Sequence, residues 1–372
     1  MRKVNSDFWK GKRVLVTGHT GFKGAWLALW LRNMGAEVLG YSLAPETDPN
    51  LYTVAQVEKH CDNVIADIRD LGLMSRAFAE FKPDAAFHLA ARSLVRYGYR
   101  EPHDTITTNV VGTLNFLECL RQARDVKASV VVTSDKCYEN NEDNHPFAES
   151  DPMGGHDPYS SSKGCAELVA AAYRNAYFSV SAMEAHQIGL ATARGGNVIG
   201  GGDWAEDRLI PDAVRAWTAG ETLEVRNPHA TRPWQHVLEL VQGYLILAEN
   251  LYRSGASYAE PWNFGPDTDS EKPVRNVLDL FSKYWGTGSV WTYDHGDHPY
   301  EANWLSLDIT KSKTRLNWHP RWNLEHGLRK TADWYKAHLE GKNMNEFSLA
   351  QIVAYEDAAS PGYDGAQDAA TG

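Results

Sequence analysis

Along the chain, short runs of consecutive apolar residues alternate with longer segments in which apolar positions recur every three or four residues. Val14, Leu15 and Val16 form the first run, and the spacing behind it predicts a helix through 25–31. Segments 37–41, 63–66, 84–90, 129–133 and 190–194 repeat the pattern, each separated from the next by sequence of helical length. Strands buried on both faces read as continuous apolar runs, and their alternation with helices is the βαβ rhythm of a parallel sheet. The prediction is an α/β fold, a Rossmann-type doubly wound parallel sheet, with a smaller, mixed C-terminal region that binds substrate.

After residue 195 the rhythm breaks into glycine clusters (Gly195-Gly196, Gly200-Gly201-Gly202), more Trp and Pro, and shorter elements. The expected division is a cofactor domain over 8–195 and a mainly substrate-binding region over 196–350. Segments near 230–265, including Trp262-Asn-Phe-Gly265, complete the sheet. Residues 356–372 are Ala, Asp, Gly and Ser without periodicity and read as a loose tail.

Composition narrows the function classes. With 37 basic and 48 acidic residues the net charge is −11, which repels nucleic acid and anionic lipid and leaves room for a locally held phosphate ligand. Cys61, Cys119, Cys137 and Cys165 show no CxxC or zinc spacing and read as reduced thiols of a cytoplasmic protein. No segment resembles an export signal or a membrane span. Most of the thirteen tryptophans are expected in the core.

Three glycines follow the first strand, at Gly18, Gly21 and Gly24. In a strand-turn-helix unit Gly18 permits the tight turn, Gly21 lets the main chain approach a pyrophosphate, and Gly24 lets helix pack on strand. Free N–H groups at the helix N-terminus then receive negative charge. The unit predicts a dinucleotide site. The acidic residue that usually follows roughly 20 positions on, to hold a ribose 2′-hydroxyl, is missing, because the second strand ends Tyr41-Ser-Leu43. No arginine follows for a 2′-phosphate, and Lys23 in the glycine loop leans toward NADP.

Tyr159-Ser-Ser-Ser-Lys163 precedes a helical run, and i, i+4 spacing puts phenol and ammonium on one face. Bringing a tyrosine from its usual pKa to neutrality takes roughly 4 kcal/mol, about what a lysine ~4 Å away supplies at an effective dielectric of ~20. Tyr159 can then take a proton from a sugar hydroxyl. The strand end at Ser134, Asp135 and Lys136 falls where ligands of open α/β sheets sit, and supplies a hydroxyl, an acid and an amine.

Gly18-His-Thr-Gly-Phe-Lys-Gly24, Thr133-Ser-Asp-Lys-Cys-Tyr138, Tyr159-Ser-Ser-Ser-Lys163, Asn197-Val-Ile-Gly-Gly-Gly-Asp-Trp204 and Asn227-Pro-His-Ala-Thr-Arg-Pro-Trp-Gln-His-Val237 together resemble one family. It is that of the extended short-chain dehydrogenase/reductases acting on nucleotide sugars, in their 4,6-dehydratase branch. The resemblance implies bound NAD, CDP-glucose as substrate, and a homo-oligomer, dimer or tetramer. It assigns Ser134 to the sugar 4-hydroxyl, Tyr159 to base, Lys163 to tuning that base and holding the nicotinamide ribose, and Asp135 to general acid. Lys136 stands where many relatives carry the glutamate that removes the C5 proton, and a lysine base there needs a lowered pKa. Gly18, Gly21, Phe22, Lys23, Gly24, Ser42, Asp67, Ile68, Ala90, Ala91 and Asn109 are the implied cofactor residues. Asn197, Arg208, Arg232 and His298 join Ser134 as the implied substrate residues.

Two other readings stay open. A nucleotide-sugar 4-epimerase needs Tyr159 and Lys163 but no acid and base at C5 and C6, and a dinucleotide sensor needs none of the three groups Ser134, Tyr159 and Lys163. Asp294-His-Gly-Asp-His298 has the residue types of a metal cluster but no second ligand group, and reads as a substrate-edge loop with no metal.

Overall fold

Seven strands, each parallel to its neighbours, form the centre of the computed structural model, which describes residues 2–286 and 288–358. They are β1 (Arg13–Thr17), β2 (Glu37–Ser42), β3 (Asp62–Ile65), β4 (Ala85–His88), β5 (Ala128–Val132), β6 (Gly189–Gly195) and β7 (Pro261–Phe264). Their order, β7-β6-β5-β4-β1-β2-β3, reverses direction between β1 and β4, the crevice where such sheets bind ligands. The Rossmann-type reading stands, and the Trp262 segment supplies the seventh strand.

Side chains alternate between two cores, as the twofold repeat of a strand requires. Val14, Val16, Phe87 and Val130 face helices α1 (Phe22–Asn33) and α5 (Val237–Tyr258). Leu15, Ala86 and Val131 face the other core with α2 (Leu71–Phe81), α3 (Gly112–Gln122) and α4 (Pro158–Ala176). Strand β3 departs from the expectation of strands buried on both faces. It lies at the sheet edge, and Asp62, Asn63 and Ile65 are exposed.

Helix α1 is apolar nearly all round, and the reason lies at the far end of the chain. Helices α6 (Leu324–Leu339) and α7 (Met344–Asp357) pack together, and α7 closes over α1, where Trp30 Nε1 donates to Glu356 Oε1 at 3.0 Å. The expected tail from 356 is corrected at its start: α7 continues through Asp357, and Arg321 Nη1 donates to the Glu356 carbonyl at 2.6 Å. The rest of that segment, 359–372, lies outside the described residues. Trp26, Trp30, Trp262, Trp318 and Trp334 are fully buried, and the four cysteines are free thiols. Among the described residues no helix is long and apolar enough to cross a membrane.

Between β6 and β7, and again just after β7, the chain adds two-residue and three-residue ribbons beside the crevice. Val198–Ile199 pairs with Gln235–His236, and Thr231–Pro233 pairs with Glu271–Pro273. They hold Asn197 and Arg232 over the carboxyl ends of the strands.

Candidate active site

The glycine turn explains its own residues. Gly18 has φ +78°, and a Cβ there would meet the Ala90 nitrogen at 2.7 Å. A Cβ on Gly24 would strike the Gly18 carbonyl oxygen at 2.1 Å, so only glycine lets α1 start this close to the turn. At Gly21 the picture differs: a Cβ would touch nothing nearer than 3.4 Å, and this face borders a cavity of about 220 Å³. Gly21 also caps α1 without a side-chain acceptor, leaving the first N–H groups for a ligand. Phe22, Ser42, Asp67, Ile68, Ala90 and Ala91 line this cavity, and Ser42 Oγ lies 2.9 Å from Thr20 Oγ1. These features fit a dinucleotide, with the pyrophosphate over Gly21.

Asn109 and Lys163 stand behind the walls rather than on them. Asn109 sits in a π-helical turn, donates to the Arg92 carbonyl at 2.9 Å and Ser162 Oγ at 2.8 Å, and accepts from the Arg92 N–H at 2.7 Å. Lys23, taken from the sequence as a lean toward NADP, lines the same cavity as Ser42 and Leu43 at the end of β2. It is buried where the two ligand cavities meet, and its charged neighbours are Arg208, Asp135 and Asp203.

The second cavity, of about 510 Å³, lies beyond the end of β5. Ser134 opens a short helical turn there: its Oγ accepts from the Lys136 N–H at 3.2 Å and donates to Asp135 Oδ1 at 3.1 Å. Asp135 Oδ2 is buried and finds no hydrogen-bond partner among the described residues, which leaves it free for a ligand group. Across from it Asp157 caps α4, accepting from the Ser160 N–H at 2.9 Å, and Pro158 occupies the first turn. That start sets Tyr159 on the cavity wall beside Ser134, Asp135 and Lys136.

Burial governs the charges. It pushes the Tyr159 phenol up to about 12, with the Ser134 hydroxyl pulling it partway back, and it pushes Lys163 down to about 7, with Lys23 adding to the effect. The sequence expectation that Lys163 brings Tyr159 to neutrality is therefore not met by the protein alone. Besides the Ser134 hydroxyl, the Arg208 guanidinium pulls the Tyr159 phenol down. Burial also lowers Lys136, the direction its use as a base requires.

Asn197, Arg208, Arg232 and His298 all line the larger cavity. Arg232 is buried with Nη1 on the Thr231 carbonyl at 2.9 Å, and Arg208 pairs with Asp203 at 3.7 Å. His298 pairs with Asp294 at 2.9 Å. Among the described residues no three His, Cys, Asp or Glu side chains converge on a metal position. The wall also includes Arg226 and Glu301, which the sequence reading missed. Arg226 directly precedes the Asn227 motif, and its Nη1 donates to Asp207 at 2.6 Å.

Among known proteins the chain is similar to sugar-nucleotide 4,6-dehydratases. The family model described as GDP-mannose 4,6 dehydratase matches residues 15–263. The chain is 48% identical over 357 residues to a CDP-glucose 4,6-dehydratase of Salmonella typhimurium, covering 96% of this chain and 99% of that protein. It is 28% identical to a dTDP-glucose 4,6-dehydratase of Xanthomonas campestris, over 86% of this chain and 92% of the relative. A solved structure of a double mutant of the dTDP-glucose 4,6-dehydratase DesIV from Streptomyces venezuelae, with NAD bound, superposes with a TM-score of 0.74 at 26% identity. The match covers 89% of this chain and 98% of that one.

Proposed function

The chain belongs to the GDP-mannose 4,6-dehydratase family, and from that premise we propose that it dehydrates CDP-glucose to CDP-4-dehydro-6-deoxyglucose. The observation that carries this reading is that Ser134, Asp135, Lys136 and Tyr159 share one cavity wall, and that this cavity meets the glycine-turn cavity at Lys23. The glycine turn, with Ser42, Asp67, Ile68 and Ala90, would hold NAD, which would supply the hydride acceptor for C4 and the hydride donor for C6.

The protein's own groups do the rest. Ser134 orients the 4-hydroxyl and Tyr159 removes its proton. The C4 ketone acidifies the C5 proton, which Lys136 takes as a neutral amine. Asp135 protonates the C6 hydroxyl as it leaves as water, Lys136 gives its proton back to C5 as hydride reaches C6, and since the ketone is kept, Tyr159 and Asp135 regain their starting protonation by exchange with solvent. Arg208 and Arg232 bind the diphosphate, with Asn197 and His298 at its edges. A 4-epimerase has no use for Asp135 and Lys136, and their presence on the wall favours dehydration.

The cofactor is served mainly by residues 8–195 and the sugar nucleotide mainly by 196–350. Exposed Leu114 on α3 and Leu168 on α4 support a homo-oligomer, and free thiols support a cytoplasmic enzyme. Its product suits deoxysugar biosynthesis for surface polysaccharide such as lipopolysaccharide O-antigen. Turnover of CDP-, dTDP-, UDP- and GDP-glucose tests the substrate. CDP-glucose is expected to give the highest kcat/KM, and preference for another base would contradict the assignment.

A further inference from the structure

Glu167 stands one helical turn beyond Lys163 on α4, so the two share a face, and it is 3% exposed. Its carboxylate accepts from two strand ends at once. Thr133 Oγ1 donates to it at 2.5 Å, Thr192 Oγ1 at 2.7 Å and Arg194 Nη2 at 2.8 Å. Thr133 is the residue before Ser134, while Thr192 and Arg194 belong to β6. Arg194 also donates to Tyr138 Oη at 2.8 Å, and that hydroxyl donates to Asn263 on β7 at 2.6 Å. One buried polar network thus joins α4, β6, β7 and the end of β5 beneath the reacting groups. A buried ion pair adds little stability over an apolar replacement, so stability alone does not account for it.

Charge gives a second reason. The titratable groups acting on Lys163 are Lys23 from α1, His88 from β4, Cys137 from the turn after β5 and Glu167 from its own helix. Burial pushes His88 down to about 3 and Cys137 well above its ordinary value, so both are uncharged near neutrality. Burial works against the Glu167 carboxylate too, but Arg194 and the two threonine hydroxyls outweigh it and hold the group below its usual range. Of these four groups, Glu167 is the anion.

We propose that Glu167 is a positioning residue for proton transfer at Tyr159: it ties the Thr133-Ser134 strand end to the helix carrying Tyr159 and Lys163, and balances the Lys163 ammonium. The inference rests on the roles given above to Ser134, Tyr159 and Lys163. Around Tyr159 itself the acting groups are Ser134, Asp135, Arg208 and Asp157, with Tyr244 facing it from α5.

The test is single-turnover reduction of the cofactor with CDP-glucose, followed across pH in the wild type, E167Q, E167D and T133V. A wild type that shows no reduction overturns the functional reading itself. Given a reducing wild type, E167Q removes one negative charge, so both limbs of its profile are expected to move about one unit toward lower pH. E167D keeps the charge and is expected to keep the profile, at a rate lowered roughly tenfold by lost alignment. T133V keeps shape and charge, and is expected to slow C4 oxidation about tenfold with substrate affinity unchanged. An unmoved profile in E167Q, an equal displacement in E167D, or a wild-type rate in T133V would overturn the proposal. Should E167Q not fold, the other two variants decide it on the same terms.

Discussion

Lys163 Nζ donates to the carbonyl of Val132 at 3.4 Å, two residues before Ser134, so the ammonium is pinned beneath the strand end and off the cavity wall. Its charge is therefore held at a cost to the fold. Burial lowers its pKa from an ordinary 10.5 to about 7.

The sign of the pH dependence follows. Between about pH 7 and 10.5 the unfolded chain binds a proton that the native protein lacks, so this group makes stability rise with pH across that window. Below about pH 7 the penalty is fully present. Lys163→Met is expected to stabilise the cofactor-free protein there by on the order of a few kcal/mol, with the gain fading toward alkaline pH. Urea unfolding of both proteins at acid and alkaline pH measures this, and an equal difference at the two would contradict it.

Tyr159→Phe removes the base and keeps most of the packing. Binding of CDP-glucose is expected to survive within about threefold, while C4 oxidation falls by at least about 10²-fold. Calorimetry and single-turnover absorbance read the two effects separately. A variant that still reduces its cofactor at the wild-type rate would require another base.

The glycine turn separates folding from binding. In Gly24→Ala the new methyl meets the Gly18 carbonyl oxygen at 2.1 Å, and a marked fall in Tm is expected. In Gly21→Ala the contact is 3.4 Å and the methyl enters the cofactor cavity, so Tm should stay near wild type while NAD affinity drops about tenfold or more. Equal losses of Tm in the two variants would contradict the division.

Asp135→Asn isolates the elimination. With Tyr159 and Ser134 intact, C4 oxidation should proceed and water loss should slow by about 10² to 10⁴-fold, so reduced-nicotinamide absorbance accumulates in a single turnover. Formation of the 6-deoxy product at the wild-type rate would remove Asp135 from the general-acid role.

The strands were legible because parallel strands in a covered sheet favour apolar runs, as at Val14–Val16 and Val130–Val132. Strand β3 was legible by position in the alternation, yet its polarity reflects an edge that only the strand order reveals. The all-apolar face of α1 carried no hint that α7, some 320 residues later, closes over it. Tyr159 and Lys163 could be picked out by spacing, since a helix turn is a local property, and Ser134 by its place at a strand end. Arg226, Glu301 and the Glu167–Arg194 pair could not, because what makes them functional candidates is where distant segments meet. The burial of Tyr159 was not legible for the same reason: spacing gives the neighbour, and burial, which raises the phenol, depends on the whole fold.

The central claim is that one hydride leaves C4 and returns to C6 of the same sugar. It is tested most directly by giving the enzyme CDP-glucose labelled with deuterium at C4 and analysing the product by mass spectrometry and NMR. The account predicts a 4-dehydro-6-deoxy sugar with the label at C6 and no net consumption of NAD. Label lost to solvent, or NAD consumed in step with product, would contradict it.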